Sequence, residues 1–274
     1  MKRIGFALLA VAISSASAFA ADLPVKAPPM VAAPIFNWTG FYIGGFVGGA
    51  GADRDAFASE PVSPVGVFYN SGGLGTGYGL QSSVIAGGTI GYNWQRPGSN
   101  WVVGVEGEAG YMHLRGARQD VNAATTGLSP VDSVYANRLG DAYGVIAGRF
   151  GWTTRNALFY VKGGVAFVDR SSSFTDSCIG AGAPGCGPGF LVINRSDVNI
   201  TYAVGAGVEY AFNNNWSIKG EYLYLGTQRS YTASNTLVTA PIGVLFSTTN
   251  SDPGVHTGKI GINYRWGGPV VAKY

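Results

Sequence analysis

Two carboxylates stand two residues apart, Glu106 and Glu108, in the stretch WVVGVEGE. In an extended strand that spacing places both on one face, and a carboxyl pair is the usual tool of acid–base glycoside hydrolysis. Basic residues fall on the same face of neighbouring stretches, so a structural charge network accounts for the pair better than catalysis does. His113 and His256 come without a clustered acid or thiol and read as solvated rim residues, not metal ligands. Ser171, Ser172 and Ser173 lack the Gly-x-Ser-x-Gly setting of an esterase nucleophile. The glycine-rich GGLGTGYG of residues 72–79 lacks the Lys-Ser/Thr that completes a phosphate loop, and reads as a flexible external loop. Cys178 and Cys186 are the two cysteines. Eight apart in an exported chain, they are expected to form a disulfide. Closing so short a loop adds roughly 2–3 kcal/mol of local order and no redox function. No catalytic, cofactor-binding or metal-ligating set converges, so neither an enzyme nor a cofactor is expected.

The elements that must position these residues begin with an export signal. Lys2 and Arg3 precede an apolar run at residues 4–13, and Ala18-Phe19-Ala20 supplies the small residues of a cleavage site between Ala20 and Ala21. The run is too short to cross a bilayer as a helix. Without residues 1–20 the chain keeps 16 basic and 15 acidic residues, a net charge of +1 against +3 for the whole. Nucleic acid is therefore not an expected partner. Residues 21–36, with Pro24, Pro28, Pro29 and Pro34, read as an extended periplasmic linker. The 43 glycines, 13% aromatic residues and only 12% charged residues suit a strand-rich chain.

Residues 197–226 show the repeating unit, DVNITYAVGAGVEYAFNNNWSIKGEYLYLG. Val198, Ile200, Tyr202, Val204, Ala206, Val208, Tyr210 and Phe212 share one parity, and small or polar residues the other. That is the two-residue period of a strand. Asn213, Asn214 and Asn215 supply a turn, and Trp216, Ile218, Tyr222 and Tyr224 return opposite Lys219 and Glu221. The alternation recurs over residues 38–49, 82–95, 100–114, 139–152, 157–169 and 256–266, which makes eight strands. In the first, Phe41, Ile43 and Val47 compete with Tyr42 and Phe46 for the apolar face, and its facing stays open. Long connections follow strands one, three, five and seven, near residues 50–81, 115–137, 170–196 and 227–255. Short turns follow two, four and six. Residues 237–248 are expected to add a hairpin or to lengthen the flanking strands.

This rhythm predicts an all-β, eight-stranded antiparallel up-and-down transmembrane β-barrel with long extracellular loops and short periplasmic turns. A soluble lipocalin-like barrel would turn its apolar residues inward instead. Charge favours the membrane form. Glu106, Glu108, Asp141, Arg149, Lys162, Glu209, Lys219, Glu221, Lys259 and Arg265 occupy the polar parity, with both signs present as in a charge-paired lumen. On the lipid face an arginine or lysine at mid-depth would cost roughly 2–4 kcal/mol. Trp38, Trp94, Trp101, Trp152, Trp216 and Trp266 all fall at predicted periplasmic strand ends, as an aromatic girdle at the membrane–water boundary requires. Tyr111, Phe167, Tyr202, Tyr222 and Tyr224 are the expected opposite girdle.

Six segments carry a resemblance: NWTGFYIGG (37–45), GGTIGYNWQ (87–95), WVVGVEGE (101–108), FYVKGGVAF (159–167), NWSIKGEYLYLG (215–226) and GKIGINYRW (258–266). As a set they resemble the small outer-membrane β-barrels of alphaproteobacteria. These are surface antigens described as outer-membrane immunogenic or porin-family proteins, related in fold to opacity-type and OmpA-type barrels. The resemblance covers residues 38–266. It implies a Gram-negative outer-membrane location and an immunogenic surface protein supporting envelope integrity, with no catalytic residues to carry over. The chain departs from the pattern after Trp266, where GGPVVAKY (267–274) follows as a C-terminal extension. Either Trp266 or Tyr274 is then the terminal assembly signal. Ala21-Asp22 resembles the point at which some relatives attach to peptidoglycan. Expected partners are thus outer-membrane lipid and lipopolysaccharide, peptidoglycan through the N-terminal segment, and host or surface ligands at the loops. The expected function is a structural and surface barrel with a side-chain-filled lumen. A small porin for passive diffusion is the alternative, although eight strands enclose little more than their own side chains.

Overall fold

The computed structural model describes residues 36–59, 75–119, 133–176, 191–227, 230–236 and 245–266. The signal cleavage at Ala20 and Ala21, the linker up to residue 35, the Cys178–Cys186 disulfide and the C-terminal extension lie outside the described residues.

The chain runs β1 (Gly40–Ala52), β2 (Ala56–Ser59), β3 (Gly75–Tyr78), β4 (Ser83–Gln95), β5 (Trp101–Tyr111) and β6 (His113–Gln119). It continues through β7 (Val134–Thr154), β8 (Ala157–Asp176), β9 (Leu191–Ala211), β10 (Trp216–Leu225), β11 (Ser230–Thr236), β12 (Leu245–Ser251) and β13 (Val255–Trp266). Eight of these, in the order β1-β4-β5-β7-β8-β9-β10-β13, form an antiparallel ring. The first and last strands close it, from Phe41 opposite Trp266 to Ala52 opposite Val255. Closure is what hydrocarbon demands, because no water is present there to satisfy an open strand edge. Beyond Met112, β6 continues the line of β5 along the outer half of β7.

Alternation sets the two faces. Phe41, Val84, Ile146 and Ile260 point outward and are each more than 60% exposed, while Glu106, Lys162, Lys219 and Glu221 point inward and are buried. Tyr42 and Phe46 point inward, which resolves the facing of β1. The turns at one end are short. At Arg155 a positive φ of 51° turns β7 directly into β8. Between β9 and β10, Oδ1 of Asn213 accepts from the backbone N–H groups of Asn215 and Trp216 at 2.9 and 2.8 Å, the local bond for which asparagine suits turns.

At the other end the strands run well past a bilayer. β7, β8 and β9 have 21, 20 and 21 residues, against the roughly 9–11 that span hydrocarbon. The connections predicted at 50–81 and 227–255 are not wholly irregular. β2 and β3 from the first and β11 and β12 from the second make a separate four-stranded sheet, ordered β11-β12-β2-β3. The hairpin expected near 237–248 is thus made by β11 and β12 and joins this outer sheet, not the barrel wall. Tyr78, Tyr135, Phe174, Leu191, Ile193 and Phe246 are buried together beneath it.

Two residues lie elsewhere than strand parity predicts. Trp38 does not belong to the girdle: it precedes β1 and lies inside the barrel mouth, 1% exposed, whereas the other five tryptophans are 39–53% exposed. Gly40, at φ 143°, lets the chain turn across the mouth. There the Trp38 indole N–H donates to Oγ1 of Thr153 at 2.9 Å and its backbone N–H to Oε1 of Gln95 at 2.8 Å. Asp141 does not belong to the lumen network. Gly140, Asp141 and Ala142 of β7 face the single Asp169 of β8, a bulge. Asp141 sits in it at φ 75°, which swings its carboxylate to the outer surface. It pairs there with His113 at 2.6 Å and Arg138 at 2.6 Å.

Candidate functional site

The interior is filled in layers. At the periplasmic mouth Trp38 packs with Val102, Leu158, Tyr160 and Ala211. Arg265 lies inward beside this layer, its guanidinium 4.3 Å from the centre of the Phe36 ring and 5.2 Å from that of Trp38. It donates to the carbonyl of Asn214 at 3.0 Å and pairs with no carboxylate among the described residues. The predicted network therefore contains it by position but not by ion pair.

Above that mouth comes the charge layer. Six of the ring strands contribute by alternation: Glu106 and Glu108 from β5, Arg149 from β7, Lys162 from β8, Glu209 from β9, Lys219 and Glu221 from β10, Lys259 from β13. All eight are 2–5% exposed. Nζ of Lys162 lies 2.9 Å from Glu106, 3.0 Å from Glu108 and 2.7 Å from Glu221. Lys259 reaches Glu221 at 2.9 Å and also bonds Glu108, and Lys219 reaches Glu106 at 3.4 Å. Arg149 bridges Glu209 at 2.8 Å and Glu106 at 3.4 Å, with its guanidinium 3.9 Å from the centre of the Tyr160 ring.

Neutral donors complete the carboxylates' bonding. The hydroxyls of Tyr42, Tyr143 and Tyr160 donate to Glu106, Glu108 and Glu221 at 2.8, 2.7 and 2.8 Å. Ser217 and Asn263 donate to Glu209 at 2.6 and 2.7 Å. The tyrosines matter because ionic partners alone seldom repay the desolvation of buried charge. Their signal in the sequence is an aromatic residue on the polar face, as Tyr143 and Tyr160 are by parity.

Glu106, Glu108 and Glu221 bring carboxylate oxygens within 4.8 Å of one another, a grouping able to ligate a cation. The Lys162 ammonium touches all three and supplies positive charge where a metal would sit. Toward the outside, Met112, Leu114, Leu139, Val168, Leu225 and Val255 form an apolar layer.

Outside the bilayer, Arg170 ties the wall to the loops. It bonds Asp197 at 3.0 Å, approaches Asp252 at 3.5 Å and lies 3.8 Å from the centre of the Tyr231 ring. Hydrogen bonds from Arg170 and Arg195 hold the Asp197 carboxyl down to about 2. Burial pushes Asp252 above the usual range despite its Asn137 and Arg170 partners.

On the outer face, Trp101 packs against Phe150 and Trp152 with ring centres 4.9 and 4.7 Å apart. Trp216, Tyr264 and Trp266 continue the aromatic line at 5.0 and 5.2 Å. At the opposite rim, Tyr111 stacks on His113, and His256 meets Tyr222 and Tyr224.

Comparison with known proteins agrees with this geometry. The family profile described as "Outer membrane protein beta-barrel domain" matches residues 6–266. The chain is 30% identical over 276 residues to the 31 kDa outer-membrane immunogenic protein of Brucella melitensis, covering 97% of this chain and all of that protein. It is 29% identical over 212 residues to the 22 kDa outer membrane protein of Rhizobium leguminosarum, covering 76% and 70%. In fold it is similar to the outer membrane protein OprG from Pseudomonas aeruginosa, with TM-score 0.52 and 17% identity over 85% of this chain and 99% of that one. With an eight-stranded ring, a lipid-compatible outer face and a family profile spanning nearly its whole length, the chain belongs to the outer membrane protein beta-barrel domain family of Gram-negative outer-membrane proteins.

Proposed function

We propose that this outer-membrane barrel acts as a closed structural and surface-presenting element, not as a diffusion channel. The observation that carries the reading is the lumen charge layer, in which four carboxylates meet four basic side chains and all eight are buried. A solute would have to part these pairs, and stripping one partner from a buried pair leaves an uncompensated charge costing roughly 3–5 kcal/mol. The Trp38 layer below and the Met112–Leu114–Leu139 layer above support the same reading. The extended strands and outer sheet then serve as the surface the cell presents, as the name of the Brucella relative suggests for that protein. Planar-bilayer recording of the refolded protein tests this. A closed barrel leaves the bilayer silent, and steady nanosiemens openings would overturn the reading in favour of a small porin.

A further inference from the structure

Just outside the lipid-facing band, Arg115 of β6 is the cross-strand partner of Arg138 of β7. Both lie on the outer face, since Leu114 and Leu139 beside them are fully buried inside. Like charges directly opposite in a ladder repel. Their surroundings neutralise them only in part. Arg138 pairs with Asp141, which it shares with His113, and its Nε has no hydrogen-bond partner. Among the described residues no carboxylate pairs with Arg115. A cleft of about 650 Å³ opens beside the two arginines, with the hydroxyls of Ser171 and Ser173 on its wall. An anion between the arginines would convert the repulsion into two charge-assisted contacts.

The same strands carry a second feature nearer the bilayer centre. Gly45 lies opposite Gly88, Gly88 opposite Ala109, and Ala109 opposite Gly144. This row crosses β1, β4, β5 and β7 on the outward face. Gly88, Ala109 and Gly144 of this row line an apolar groove of about 600 Å³ walled by Ile43, Ile90, Ile146 and Phe167. Packing does not require glycine here: a Cβ on Gly88 or Gly144 would meet nothing nearer than 3.5 or 3.6 Å. At inward-facing Gly164 it would collide with the Ile146 carbonyl. Glycine weakens a strand interior, so the outward row is a cost to the wall that leaves a trough. On β7 only the bulge and exposed Ala142 separate the trough from Arg138. Ala109 and Arg115 are six residues apart, roughly 20 Å along a strand, which one lipid can bridge.

An anion site over an acyl-sized groove fits one molecule, a phosphorylated lipid. The arginines lie at the end of the long connections, which faces the outer leaflet, where lipopolysaccharide is the phosphorylated lipid. We propose that this wall forms a lipopolysaccharide site in which Arg115 and Arg138 hold a lipid A phosphate and the groove over Gly88, Ala109 and Gly144 seats one of its acyl chains. The inference rests on the outward placement of the loops and not on whether the lumen conducts. An open pore would therefore overturn the closed-lumen reading and leave this site standing.

The test titrates the refolded full-length protein in zwitterionic nanodiscs with purified lipid A, with bound lipid read by native mass spectrometry. Variants are Arg115→Gln with Arg138→Gln, and Gly88→Val with Gly144→Val, each first checked for the heat-modifiable gel migration of a folded barrel. The arginine variant should bind lipid A roughly 30-fold more weakly, about a factor of five per arginine near a charged membrane surface. The valine variant should also lose affinity, and lipid A stripped of its phosphates should bind the parent as weakly as lipid A binds the arginine variant. Equal affinity of parent and arginine variant would overturn the proposal, as would displacement of lipid A by inorganic phosphate alone, which would mark a free-anion site. If a variant fails to fold, the phosphate-free lipid A and inorganic phosphate arms on the parent still decide.

Discussion

Nη2 of Arg149 lies 2.8 Å from Oε2 of Glu209, with β8 between their strands in the barrel wall. The bond passes over β8 on the inner face of the wall and joins residues 60 apart in sequence. Replacing Arg149 with alanine should strand Glu209 and weaken the hold on Glu106. Urea unfolding in lipid vesicles should show a loss of roughly 3–5 kcal/mol. The double variant Arg149→Leu with Glu209→Gln should lose clearly less than the sum of the two single changes. Simple additivity would mean the pair does not couple.

Trp38 should behave unlike the other five tryptophans. In single-tryptophan variants, brominated lipids should quench Trp94, Trp101, Trp152, Trp216 and Trp266, which face outward, and leave Trp38 unquenched. Trp38→Ala should cost roughly 3–5 kcal/mol as a buried aromatic truncation, whereas Trp94→Ala should cost far less.

Acid should loosen the outer end before the barrel. The folded-state pKa of Asp197 is depressed to about 2 from an ordinary 3.8, so its pairing with Arg170 and Arg195 contributes fully above about 4 and is lost as pH falls toward 2. Asp252 shifts the opposite way, so its protonation favours the folded state as pH falls through its raised pKa toward 3.8, a change complete before the Asp197 pairing is lost. Hydrogen exchange of the amides of residues 191–199, corrected for intrinsic pH dependence, should rise as pH falls from 4 to 2. In Asp197→Asn the rise should disappear.

Topology can be read from labelling in cells whose Cys178 and Cys186 are replaced by serine. An impermeant maleimide should modify Ser234→Cys, on the exposed face of β11 in the outer sheet, on intact cells. It should reach Asn214→Cys, in the turn before β10, only after the outer membrane is opened. Labelling of Asn214→Cys on intact cells would invert the barrel.

Strand parity, the closed ring and most of the charge layer's members were legible in the sequence, because a two-residue period assigns faces without knowing neighbours. Glu106, Lys162 and Glu221 are on one face by counting alone. Which of them touch is a matter of shear between strands, and only the fold brings Lys162 to three carboxylates from β5 and β10. Parity also fails wherever the backbone leaves the β region. Asp141 counts as inward but is turned out by positive φ in a bulge, and Trp38 counts as a girdle residue but precedes the ladder and folds over the mouth. Nor does net charge reveal local charge: near neutrality overall, the chain still sets Arg115 against Arg138 through a pairing between β6 and β7. The sequence by itself determined a barrel with lipid outside and charge inside, since period two and hydropathy are local. The pairings within the plug, the outer sheet and the arginine-topped groove were decided by tertiary structure, because each depends on which distant strands lie side by side.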